Sequence, residues 1–330
     1  MRVKDVLKYV VALIYSFIAT SIVVSIGVTV IALVTVVGAL LLHWLAITYG
    51  YIPFLILVLT ITSLIMAHDL LASNDLSYLS LGGPHLTVLK GYAVMARYLA
   101  MEMGISDYVN VYVSPRYLLA AFVCRLCGCF SYGIVLGPLV AKFPFDEARA
   151  IIAHELAHIK NGDVCLLSII TLPHKVSGRL LNMFKSVLKL LIKSIIGWIF
   201  VPFVALAFLT LLLIHAVMVF ISRSISRHLE FRADATAAMY AGAEELARAL
   251  VRYEEIFNEI MKSLSAGDLS VLGRLDPRAI HVDLRKYLSR RLSIWDRLHY
   301  AFLSTHPPTE ERVKRLLLMA KYRTSKLIHI

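Results

Sequence analysis

Ile151-Ile-Ala-His-Glu-Leu-Ala-His-Ile-Lys-Asn-Gly-Asp163 is the stretch from which the rest of the chain can be read. It carries His154, Glu155 and His158 in the order His-Glu-x-x-His. On an α-helix, residues i and i+4 lie one turn apart on one face. The two imidazoles can therefore converge on one metal ion. Glu155, beside the first histidine, then stands where a general base takes a proton from water activated by that ion. The surrounding residues predict the helix. Asp146 and Glu147 follow Pro144, where carboxylates favour the positive end of the macrodipole. Ala148, Ala150, Ala153 and Ala157 propagate the helix, and Asn161-Gly162 stops it.

Two histidines make a half-built site, and a catalytic zinc centre takes a third protein ligand. Arg227-His-Leu-Glu-Phe-Arg-Ala-Asp234 supplies a candidate, Glu230, on a second predicted helix. With His154 and His158 it would form a His2Glu set with one position open to water. Asp234, four residues on and on the same face, can accept the outer N–H of a metal-bound histidine and fix its tautomer.

Composition excludes an ordinary soluble domain. Hydrophobic residues make up 59% of the 330-residue chain and charged residues 17%, against about 25% charged in soluble domains. The net charge is nevertheless +12, so the charges present are mostly basic. A membrane protein with a basic cytoplasmic face explains both. Nucleic-acid binding is the other reading of a basic chain, but no recognition module accompanies the charge. No nucleic-acid partner is expected.

Read in order, the chain divides into four regions. Residues 1–68 form an N-terminal membrane region with two spans, about 12–40 and 51–67. Arg2, Lys4 and Lys8 precede the first span, and the loop Tyr49-Gly-Tyr-Ile-Pro53 carries no Lys or Arg. The positive-inside rule then puts the N-terminus and the domain after His68 in the cytoplasm. The apolar region is too long for a cleavable signal peptide. Residues 69–174 read as the first half of a catalytic domain. It has a helix over Val88–Met103, a strand over Tyr108–Val113 and a β-hairpin over Ala121–Val140 ahead of the metal-binding helix.

Residues 175–222 form a second membrane region, and residues 223–330 the second half of the catalytic domain. Glu230 must reach the ion held by His154, so the chain between them crosses the membrane an even number of times. Two spans, a helical hairpin turning near Gly197-Trp198, satisfy that parity; an interfacial helix followed by a re-entrant hairpin is the alternative. Lys175, Arg179, Lys185, Lys189 and Lys193 fall on one face of the first of these helices. Inside a span such a stripe should face a bundle interior or a watery cavity, or snorkel. Further on, the basic segment Arg285–His299, interleaved with Tyr287, Leu288, Leu292, Ile294 and Trp295, suits a helix on anionic headgroups or a solvated helix face. Cys124, Cys127, Cys129 and Cys165 read as small buried hydrophobes of a reducing compartment before they read as a second metal site.

His-Glu-Leu-Ala-His-Ile-Lys-Asn-Gly-Asp, Glu-Phe-Arg-Ala-Asp and Thr305-His-Pro-Pro-Thr-Glu-Glu-Arg312 resemble the three signature blocks of the HtpX-type integral-membrane zinc metalloproteases. The resemblance spans about residues 60 to 320, in the family's order. It implies a mainly α membrane protein with about four transmembrane helices and a cytoplasmic zincin-like α+β catalytic domain carrying a small β-hairpin or sheet. It implies one Zn²⁺ per chain, with His306 as a catalytic candidate and Arg312 as a transition-state or substrate contact. The hairpin strand would be where an extended substrate pairs its backbone. Unfolded or damaged membrane proteins are the implied substrates, and the plasma membrane the implied location. The chain departs from the family at Ala120-Ala-Phe122, where relatives commonly have Asn-Ala-Phe. The prenyl-protein (CAAX) endoproteases share the blocks but are usually longer, with more spans. A non-enzymatic membrane transporter or sensor is the remaining class.

Overall fold

The computed structural model describes residues 3–34, 43–44, 47–50, 52–72, 87–114, 117–125, 131–268, 270–290, 292–296, 300 and 304–328. In chain order the elements are α1 (Val3–Val34), α2 (Ile52–Ala72), β1 (Thr87–Val88), α3 (Lys90–Glu102), β2 (Tyr108–Val113), β3 (Ala121–Arg125) and β4 (Ser131–Leu136). There follow α4 (Phe145–Lys160), α5 (Asp163–Ile192), α6 (Val201–Ala241), α7 (Ala243–Ser265), α8 (Leu284–Ser289) and α9 (Thr309–Ile328). The chain folds into two compact units, residues 1–73 with 165–222, and residues 74–164 with 223–330.

The first unit is all helical. Among the described residues, three helical stretches are long and apolar enough to cross a membrane, Val6–Val30, Asp163–Ile192 and Val201–Ala241. A shorter apolar stretch, Ile52–His68, stands where the second span was expected, and residues 35–40 of the expected first span lie outside the described residues. Large apolar side chains such as Leu7, Val11, Ile18, Leu206 and Leu213 face outward. That exposure suits lipid rather than water. The unit's core holds Val23, Met66, Leu172, Val176, Phe184, Val204 and Leu211.

Helices α5 and α6 are tied together by polar rungs. Ser177 Oγ lies 2.7 Å from His215 Nδ1, and His174 Nδ1 lies 3.1 Å from Ser222 Oγ. Their connection turns at Gly197, where a Cβ would lie 2.3 Å from the Leu191 carbonyl oxygen, so only glycine fits. Lys175, Arg179, Lys185 and Lys189 on α5, and Lys193 just past its end, are all exposed. Of the expected placements, exposure removes the bundle interior and leaves a watery cavity or snorkelling. Leu172, Val176 and Phe184 occupy the interior side of α5 instead, and packing them gains more than burying charges among them would.

The second unit is α+β. Its four-stranded sheet runs β1-β2-β4-β3. β2 and β4 are parallel, with Val111 opposite Ile134, while β3 and β4 form the expected antiparallel hairpin, with Val123 opposite Ile134. β3 is an edge strand, β1 being the other, and lies against α4. Phe143, Ile152 and Leu156 are fully buried in this unit's core, each contributing about 1.5–3 kcal/mol over exposure. After α6 the chain reverses at Gly242, whose φ of 92° is costly for any side-chain-bearing residue. The amphipathic helix α7 then packs on both α4 and α9.

One buried ion pair locks α7 to the first turn of α4. Arg252 donates through Nε and Nη2 to the two Glu147 carboxylate oxygens at 2.6 and 2.9 Å. Its Nη1 donates to the Pro277 and Ile280 carbonyls. The basic segment after residue 284 is not one continuous helix over Arg285–His299. α8 stops at Ser289, Arg290 is extended (ψ 127°), and Tyr287 is buried. Lys286 pairs with Glu255, and Arg290 with Glu254 and Glu310. Two cations of the segment, Lys286 and Arg290, are thus met by carboxylates of α7 and α9, while Ile294 and Trp295 are exposed.

Candidate active site

Helix α4 delivers His154, Glu155 and His158 from the middle of the second unit. Proline precedes its first residue, Asp146 and Glu147 fill its first turn, and Asn161 with left-handed Gly162 (φ 69°) ends it. Ala148, Ala150, Ala153 and Ala157 are all buried, which lets neighbouring elements approach the backbone closely. His154 and Glu155 are each 7% exposed. The 41-residue helix α6 brings Glu230 and Asp234, both buried, from a segment 76 residues beyond His154.

The donors converge. The two Nε2 atoms of His154 and His158 lie 3.2 Å apart. His154 Nε2 is 3.4 Å from Glu230 Oε2, and His158 Nε2 is 3.5 Å from Glu230 Oε1. Ligands about 2.0–2.1 Å from one tetrahedral ion stand about 3.3–3.4 Å from each other. The observed separations fit that value. Glu230 Oε2 is buried among His154, His306 and Arg312, whose nitrogens lie 3.1–3.4 Å away and favour the ionised carboxylate that a metal ligand needs. Among the described residues, this is the one cluster of three or more such side chains arranged to hold a metal.

Each histidine is backed by a carboxylate, and each carboxylate by an arginine. Asp234 Oδ1 lies 3.0 Å from His154 Nδ1. Arg312 grips Asp234 with both arms, Nε to Oδ2 at 2.8 Å and Nη2 to Oδ1 at 2.6 Å. On the other side Asp163 Oδ2 lies 3.1 Å from His158 Nδ1, and Arg232 pairs with Asp163 Oδ1. Burial disfavours the charged imidazoles, but Asp234 and Glu230 outweigh it at His154 and leave its pKa raised. Asp163 and Glu230 do the same at His158, which rises to about 10. Burial likewise opposes the Arg312 charge, but Asp234, then Glu230 and Glu155, hold it more firmly protonated than usual.

The residues expected from the third sequence block stand in different settings. His306 is largely exposed, and its Nδ1 lies 3.1 Å from Glu230 Oε2. Arg312 is buried, with its fork taken by Asp234 and its Nη1 3.4 Å from Glu230 Oε2. Two of its three nitrogens are thus committed to Asp234, and the third points at Glu230.

Three neighbours were not anticipated. Asp163 lies inside the quoted stretch but reads locally as a first-turn acid of the next helix. Arg232 reads as one of a basic run. Tyr253 on α7 gives no local signal at all. Its hydroxyl donates to the Leu119 carbonyl at 2.9 Å, and burial, then the charge of Glu155, raises its pKa. Ala120, at the departure from the family pattern, accepts from Gly137 N–H through its carbonyl. Cys124 is buried on β3, with Sγ 3.3 Å from the Gly133 carbonyl oxygen. Cys127 and Cys129 lie outside the described residues.

Comparison with known proteins places this geometry. The model of Peptidase family M48 matches residues 94–320. The Protease HtpX homolog of Sulfurihydrogenibium sp. (strain YO3AOP1) is 33% identical over 238 residues, covering 69% of this chain and 73% of that protein. That of Gemmatimonas aurantiaca is 33% identical over 176 residues, 53% of this chain and 56% of its own length. Protease HtpX of Pseudomonas aeruginosa (strain LESB58) is 28% identical over 228 residues, 68% and 70% of the two chains. The crystal structure of S. mikatae Ste24p shares the fold, with TM-score 0.50 at 19% identity over 85% of this chain; the chain spans 63% of Ste24p. The chain belongs to peptidase family M48 and is a membrane metalloprotease.

Proposed function

We propose that the chain is a zinc endopeptidase in which His154, His158 and Glu230 hold the ion and Glu155 is the general base. The donor triangle of 3.2, 3.4 and 3.5 Å carries this reading. When bound, zinc supplies a Lewis acid that polarises the scissile carbonyl and lowers the pKa of water to about 7. Glu155 takes the proton of the attacking water on its carboxylate and returns it to the leaving amine. Asp234 and Asp163 hold the imidazoles with Nε2 toward the ion. His306 donates to the oxyanion of the tetrahedral intermediate. Arg312 acts through Asp234 rather than on substrate.

The edge position of β3 supports pairing with an extended peptide beside α4. The apolar helices of the first unit and the relatives' resemblance support unfolded or damaged membrane proteins as substrates. The basic N-terminus supports a catalytic unit on the cytoplasmic side of the plasma membrane. Metal analysis of protein purified in detergent tests the centre. We expect one zinc per chain, cleavage of an unfolded protein that stops on chelation, and recovery on adding zinc back. Full activity after the metal has been stripped contradicts the proposal.

A further inference from the structure

We infer that Arg227 is a positioning residue that fixes His306 beside the metal site, an inference that rests on the hydrolytic reading above. Arg227 lies three residues before Glu230 on α6, nearly one turn away. Its Nη1 donates to two backbone carbonyls at once, those of Tyr300 and Ser304, both at 3.1 Å. Its Nη2 donates to Ser224 Oγ at 2.9 Å, which holds the guanidinium in place on its own helix. Ser304 passes the constraint on. Its Oγ accepts from the His306 N–H at 3.2 Å and donates to the His306 carbonyl at 2.7 Å. Pro307 and Pro308 then restrict the backbone on the other side of His306.

Pro307 and Pro308 are buried, but the ring of His306 itself is not packed. A cavity of about 620 Å³, lined by Arg227, Phe231, Tyr300, Pro307, Pro308 and Glu310 among others, opens beside the segment. The His306 side chain is 63% exposed, so its ring is not wedged in place, yet Nδ1 sits 3.1 Å from Glu230 Oε2. Two carbonyl acceptors gripped from the helix that carries Glu230 set the separation between Glu230 and His306. Lysine cannot repeat the grip, because an ammonium is a single point charge where the guanidinium is a planar fork.

The test is a double-mutant cycle on the full chain, loaded with zinc in detergent, cleaving an unfolded protein. Arg227→Met should lower kcat by about 10- to 100-fold, the scale of losing one oxyanion donor's placement. KM should stay within about twofold and zinc content unchanged. Arg227→Lys should lose less. Arg227→Met combined with His306→Ala should be no slower than His306→Ala alone, since a ring that is gone cannot be misplaced. Losses that multiply in the double variant, or an Arg227→Met enzyme as fast as wild type, overturn the inference. If Arg227→Met is not recovered folded, Ser304→Ala enters the same cycle, where additive losses again overturn it. An inactive or zinc-free wild type signals failure of the underlying hydrolytic reading instead.

Discussion

The two His–Asp–Arg chains behind the candidate metal ligands use the same groups and are built in different ways. His158–Asp163–Arg232 is mostly local. Asp163 follows His158 by five residues across the Asn161-Gly162 turn, and the Arg232 side chain is 37% exposed. His154–Asp234–Arg312 is assembled from three distant helices, and the Arg312 side chain is 8% exposed. In the first, Asp163 is fully buried but its arginine reaches water, so only one end of the pair is desolvated. In the second, the guanidinium is buried as well and grips Asp234 with both arms, so breaking the pair strands a charge that had no water at either end. The difference teaches that matching chemistry around one ion need not mean matching energetic weight.

Breaking the buried chain at its far end should have the largest effect. Arg312→Met leaves Asp234 charged and unpartnered, and is expected to cost about 3–5 kcal/mol of stability. Thermal unfolding in detergent should show it, with weakened metal binding alongside. A variant within about 1 kcal/mol of wild type would dissolve the contrast between the chains.

A pH series separates the imidazoles from their supports. In metal-free protein the His158 pKa is raised to about 10 by Asp163 and Glu230 despite burial. A raised folded-state value means the contribution is fully present below the unfolded pKa of about 6.5 and is lost as pH rises through about 10. Melting temperatures of chelated protein should therefore fall across that window. Metal binding must expel this proton, so affinity should move the opposite way and strengthen with pH. A flat melting profile from pH 6.5 to 10 would count against the pairing.

Asparagine at each carboxylate compares the chains one step closer to the ion. Asp234→Asn and Asp163→Asn should each weaken metal binding by about 10- to 100-fold. The loss should be greater at Asp234, where Arg312 is left without its carboxylate partner as well. Competition with a calibrated chelator measures both, and an equal loss would remove the predicted asymmetry. The smallest effect belongs to Arg232→Gln. Only the Arg232 end of its pair with buried Asp163 reaches water, so the loss of stability in thermal unfolding should be smaller than that of Arg312→Met, whose pair is buried at both ends.

How much could be read in advance follows the same division between local and tertiary. Helix α4, its caps and the facing of His154 and His158 follow from spacing, because a helix fixes i and i+4 by its own geometry. Asp234 was legible as a support for the same reason, four residues after Glu230. The Arg312 fork was not, since it meets Asp234 across 78 residues of chain. In the basic segment after residue 284, the break at Arg290 and the pairing of Lys286 and Arg290 could not be read locally, because Glu254, Glu255 and Glu310 belong to other helices. The cationic stripe of α5 was seen as a stripe, but which way it turns depends on what packs beneath it.

Substituting Glu155 by glutamine and following both bound zinc and cleavage of an unfolded protein tests the central claim most directly. The substitution keeps size and leaves His154, His158 and Glu230 in place, but cannot accept the water's proton. The account predicts one zinc per chain and a rate at least about a hundredfold below wild type. A Glu155→Gln protein that keeps its zinc and cleaves at the wild-type rate would contradict it.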